Sequence, residues 1–109
     1  MLEGKVALVT GASRGIGRAI SDMLGAQGAT VIGTATTDAG AEAISRRFAD
    51  SGIRGKGMCL DVGDEASVDA VVKDIGESFG PVAILVNNAG ITRDNLLMRM
   101  KGDEWDSVL

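Results

Sequence analysis

The stretch Gly11-Ala12-Ser13-Arg14-Gly15-Ile16-Gly17 constrains this chain most, because of what stands on either side of it. Before it, Lys5–Thr10 contains the unbroken apolar run Val6, Ala7, Leu8 and Val9. Such a run reads as a strand covered on both faces, as in a parallel sheet. After it, Ile16, Ala19, Ile20, Met23 and Leu24 follow the i, i+3, i+4, i+7, i+8 spacing of an amphipathic helix. A parallel strand cannot return through a tight hairpin and needs a long crossover, usually a helix. Strand, glycine turn and helix together commit the chain to a βαβ unit.

The remainder repeats that alternation. Thr30–Thr34, Lys56–Leu60 and Val82–Val86 read as the second, third and fourth strands. Gly28 is expected to end the first helix. Asp38 is expected to cap a second helix that turns Ala41, Ile44 and Phe48 inward. Asp64 is expected to cap a third, with Val68, Val71, Val72, Ile75 and Phe79 on one side, broken by Gly80–Pro81. Beyond Asn87–Gly90 the tail is expected to form one or two short helices, with Asp103 as a cap before Trp105. The class is therefore α/β: a Rossmann-like doubly wound parallel sheet with right-handed crossovers, represented by its N-terminal βαβαβαβ portion. Residues 1–109 read as the N-terminal part of one domain. In the order 3-2-1-4, Ile84-Leu85-Val86 would lie at an exposed edge, a surface that favours association.

Composition narrows the function. The 16 glycines stand against one proline and are separated by apolar runs, which points to repeated tight turns rather than disorder. A net charge of −4 with scattered Lys and Arg argues against nucleic acid and against an anionic membrane surface. Cys59 is the sole cysteine, so neither an internal disulfide nor a cysteine metal cluster is possible, and it is expected as a buried reduced thiol. No stretch approaches the roughly 20 apolar residues of a membrane span, and no signal-peptide apolar region opens the chain. A cytoplasmic location is expected.

The turn itself carries chemistry. Gly11 permits a sharp exit from the strand, while Gly15 and Gly17 let the backbone approach a pyrophosphate and let the helix pack closely on the sheet. Unpaired amides at the helix N-terminus then face the phosphates, helped by the helix dipole. The spacing is G-x3-G-x-G rather than G-x-G-x-x-G, and no Gly-Lys-Ser/Thr of a nucleotide-hydrolase loop is present.

Thr10-Gly11-Ala12-Ser13-Arg14-Gly15-Ile16-Gly17 resembles the cofactor motif of the short-chain dehydrogenase/reductase family, and Asn87-Asn88-Ala89-Gly90 is similar to that family's second motif. Val31–Thr36 and Ile91–Met100 resemble the bacterial 3-oxoacyl-[acyl-carrier-protein] reductases within it. The resemblance covers essentially the whole chain. It implies an NADPH-dependent reduction of an acyl-carrier-protein-bound 3-oxoacyl substrate in fatty-acid biosynthesis, by a homo-oligomer, a tetramer. Another short-chain reductase, such as an acetoacetyl-CoA reductase, or a non-catalytic nucleotide-binding fragment, is the alternative.

Cofactor choice can be read near the second strand. An NAD-selective fold usually places Asp or Glu at that strand's end to bind the ribose hydroxyls. Here Gly33-Thr34-Ala35-Thr36-Thr37 carries no acid until Asp38. Arg14 is placed to reach a 2′-phosphate, with Ser13 and Thr36 as hydroxyl donors, and no carboxylate repels it. NADP(H) is the expected cofactor. By resemblance, Asp61 and Val62 hold the adenine ring, although Asp61 would equally serve to cap the next helix. Asn88, Ala89 and Gly90 are expected to line the adenosine and ribose side. Ala83 stands where many family members carry Asp.

The family's proton donor is a tyrosine, assisted by a lysine, a serine and an asparagine. These 109 residues contain no tyrosine and no histidine. No catalytic residue is assigned, and the chain is expected to be the front part of a longer enzyme, inactive by itself.

Overall fold

A computed structural model describes residues 2–12, 15–60, 65–87, 97–101 and 105–108. The elements are β1 (Val6–Thr10), α1 (Gly15–Ala26), β2 (Thr30–Ala35), α2 (Asp38–Ser51), β3 (Gly55–Cys59), α3 (Glu65–Ser78), β4 (Val82–Asn87), β5 (Leu97–Lys101) and β6 (Trp105–Val108). One sheet holds all the strands in the order β3-β2-β1-β4-β5-β6. β1 to β4 pair in parallel, so the doubly wound order 3-2-1-4 expected of the sequence is present.

Alternation along β1 divides the core. Ala7 and Val9 join Val31, Ile84 and Val86 under α1 and α2, whose inward residues include Leu24, Ile44 and Phe48. Val6 and Leu8 join Ile32, Leu60 and Val82 on the opposite face, where Val71 and Ile75 of α3 cover them. All five residues of β1 are buried, which is why the sequence lost the polar–apolar alternation of a half-exposed strand.

Helix faces differ from the apolar stripes in two places. In α1 the buried residues are Gly17, Ser21 and Leu24, while Ile16 and Met23 are each 57% exposed. Small residues bring this helix close to the sheet, so its contact line is narrower than hydropathy suggests. In α3 Val71 and Ile75 are buried, but Val72, and Phe79 just past the helix, are exposed. α2 buries Ala41, Ile44 and Phe48 as expected.

Three further expectations need correction. Thr37, not Asp38, caps α2: its backbone is extended and its Oγ1 accepts from Gly40 N at 3.0 Å. Asp38 is the first helical residue, where a carboxylate suits the helix dipole. Cys59 is exposed, because β3 is an edge strand. The tail forms strands rather than short helices, for β5 pairs antiparallel with β4 and β6 with β5. An open row of backbone donors and acceptors on an apolar strand is a template for pairing, and the tail meets that demand. β4 is consequently an interior strand. Asp64 and Asp103, expected as caps, lie outside the described residues. Among the described residues no helix is long and apolar enough to cross a membrane.

Candidate cofactor site

Parallel strands finish at one edge of the sheet, so Thr10, Ala35, Cys59 and Asn87 end β1, β2, β3 and β4 on the same side. The crossover leaving β1 goes to β2, whereas β4 lies on the other flank of β1. Between β1 and β4 the winding reverses. In open α/β sheets such a switch point leaves a crevice beyond the strand ends, and ligands bind there. The glycine-rich turn leaves β1 at that point.

Backbone geometry explains the glycines. Gly11 has φ 65° and Gly15 φ 64°, in the left-handed region where a side chain is strained. Among the described residues, a Cβ built on Gly15 would meet nothing within 4 Å. Gly17, two residues on, is buried against the core. Ser21 Oγ donates to Gly17 O at 2.8 Å.

The turn is anchored from several sides. Gly11 N donates to Thr34 Oγ1 at 3.3 Å, and Ala12 N to Thr34 O at 2.9 Å. Thr10 Oγ1 donates to Val86 O at 3.4 Å, tying β1 to β4 beside the crevice. Arg47 of α2 donates through Nη2 to Ala12 O at 3.2 Å. The Ala12 side chain is fully buried, and Gly33 leaves it room: a Cβ on Gly33 would lie 2.8 Å from that of Ala12. Thr34 and Arg47 were not singled out from sequence. A hydroxyl inside an apolar strand, and an arginine one residue before the buried Phe48, were the available signals.

α1 starts at Gly15 and carries no acidic residue in its first turn. Its first amides have no carbonyl partners within the helix, and no carboxylate of that turn meets the positive end of its dipole. This donor set fits a phosphate.

Of the residues expected at the site, Gly11, Ala12, Gly15, Ile16 and Gly17 form the turn and the opening of α1. Thr36 follows β2 at the same sheet edge, exposed, its carbonyl accepting from Cys59 Sγ at 3.5 Å. Ser13, Arg14, Asp61, Val62, Asn88, Ala89 and Gly90 lie outside the described residues.

Known proteins resemble this chain in sequence. The chain is 60% identical over 108 residues to the 3-oxoacyl-[acyl-carrier-protein] reductase FabG of Vibrio harveyi, covering 99% of this chain and 43% of that protein. It is 62% identical over 107 residues to the FabG protein of the same description from Escherichia coli (strain K12), covering 98% and 43%. With the one from Pseudomonas aeruginosa the identity is 57% over 108 residues, covering 99% and 44%. The chain thus spans well under half the length of these relatives. It matches the family described as short chain dehydrogenase over residues 5–109. With that match, a doubly wound sheet and a glycine turn at its switch point, the chain belongs to the short chain dehydrogenase family.

Proposed function

We propose that these residues are the N-terminal part of a single dinucleotide-binding domain, in an enzyme that reduces 3-oxoacyl-[acyl-carrier-protein] to the 3-hydroxyacyl form with NADPH. The observation that carries the reading is the identity of 56–62% to relatives of that description along nearly the whole chain. Acetoacetyl-CoA reduction and a purely nucleotide-binding role have no comparable support. Fatty-acid biosynthesis, a cytoplasmic location and a homotetramer follow from the same reading.

NADPH, when bound, supplies the hydride for the 3-keto carbon. The chain's own residues bind and orient. Gly15, Ile16 and Gly17 bring backbone amides to the pyrophosphate, Gly11 and Ala12 shape the turn that leads to them, and the positive end of α1 favours its charge. Ser13, Arg14 and Thr36 take the adenosine 2′-phosphate. Asp61 and Val62 hold the adenine, and Asn88, Ala89 and Gly90 line the ribose side. Absence of a carboxylate before Asp38 in the segment after β2 removes the repulsion that NAD-selective sites use against a 2′-phosphate.

The choice between cofactors is tested by calorimetry on the full-length protein. NADPH is expected to bind more tightly than NADH, and Arg14→Ala to erase most of the difference. Loss of one charge-assisted contact of this kind amounts to about tenfold. Equal affinities before mutation would contradict the assignment of NADP(H).

A further inference from the structure

β3 ends the sheet on one side, and among the described residues β2 is the strand that pairs with it. An edge strand presents a row of outward N–H and C=O groups, a template for another strand. The register says which groups those are. Val31 N donates to Arg54 O at 2.7 Å, and Leu60 N donates to Ala35 O at 2.9 Å. Backbone amides alternate in direction along a strand, so Lys56, Met58 and Leu60 turn theirs toward β2. Gly55, Gly57 and Cys59 turn theirs outward.

The middle donor of these three is taken. Gly57 N donates to Ser45 Oγ of α2 at 2.8 Å. The carbonyl of an added strand would have to sit about 2.9 Å from the same nitrogen, so the hydroxyl stands in its place. Ser45 reaches that position because α2 lies close against β3: a Cβ on Gly57 would fall 2.0 Å from Ala41 O. Serine inside a helix costs propensity against alanine and often turns its hydroxyl to a carbonyl one turn back. Ser21 does so, donating to Gly17 O at 2.8 Å. Ser45 accepts from outside its own helix. The rest of β3 is short and carries the exposed charge of Lys56, both features that blunt an edge.

We propose that Ser45 is an edge guard, whose hydroxyl fills the central outward donor of β3 and keeps that strand from pairing with β3 of a second copy. A second copy is the partner to guard against, because two identical edges related by a two-fold axis pair antiparallel. Gly57 would then face Gly57, and Gly55 would face Cys59. The inference does not depend on the cofactor reading.

The test compares the full-length protein with Ser45→Ala and Ser45→Thr by light scattering across concentration, thermal melting and amide exchange. Ser45→Ala is expected to melt within about 4 °C of the unaltered protein. Its apparent mass should rise at least about twofold over that of the unaltered protein as concentration increases. That association should slow exchange at Gly55, Gly57 and Cys59. Ser45→Thr keeps the hydroxyl and should match the unaltered protein in mass. A folded Ser45→Ala protein of unaltered mass at every concentration would overturn the proposal. So would association that leaves those three amides exchanging as fast as in the dilute variant, since the contact would then lie elsewhere. If Ser45→Ala does not fold, the unaltered protein decides. Its Gly57 amide should exchange about tenfold or more slower than that of Cys59 after correction for sequence, and equal rates would overturn the proposal.

Discussion

Thr37 and Asp38 stand side by side at the start of α2, and both residue types are favoured at helix N-termini. Thr37 takes the cap because its backbone is extended, φ −127° and ψ 156°, which lets Oγ1 reach back to Gly40 N. Asp38, one step later, meets only the dipole. Sequence alone offers two adjacent caps and does not say which has left the helix. Thr37→Ala is expected to lower stability by about 1 kcal/mol, and Asp38→Asn by about 0.5 kcal/mol or less. Urea unfolding of the two variants measures the difference, and a larger loss at Asp38 would contradict the cap. Cys59 departs from its hydropathy for a related reason. A run such as Met58-Cys59-Leu60 reads as interior, yet an edge strand exposes some of its residues whatever their hydropathy.

Elements were legible where apolar residues make the contacts and obscure where small residues do. α2 shows its inward face through Ala41, Ile44 and Phe48, and β1 announces burial on both faces. α1 touches the sheet through Gly17 and Ser21 as well as Leu24, so a hydropathy stripe misplaces its face. Close approach also decides how α2 sits on β3. A Cβ on Gly57 would fall 2.0 Å from Ala41 O and 2.9 Å from Ile44 Cβ. Gly57 N in turn donates to Ser45 Oγ at 2.8 Å. Gly57→Ala must push α2 away from the sheet, an overpacking cost of roughly 1–3 kcal/mol. Gly76→Ala, in open space within α3, is the control, expected to be neutral or stabilising by up to about 1 kcal/mol. Equal thermal stabilities for the two variants would contradict this packing. The tail was the largest departure among elements. Local patterns around Trp105 carry no sign that β4 offers an edge to pair with, because that demand arises only once the sheet is assembled.

For the molecule as a whole, strand order was readable because right-handed crossovers leave few ways to wind four parallel strands. The site was readable in part for the same reason: a turn leaving β1 lies at the switch point whatever its side chains. What the turn rests on was not readable, since Thr34 and Arg47 reach it from β2 and α2, far along the chain. Bound NADP(H) is expected to lay its pyrophosphate on this turn. Amide hydrogen exchange of the full-length protein, with and without saturating NADPH, tests it most directly. NADPH is expected to slow exchange in residues 11–17, with little change along α2 beyond Ser45. Protection elsewhere, with exchange in the turn left as fast as in the free protein, would contradict it.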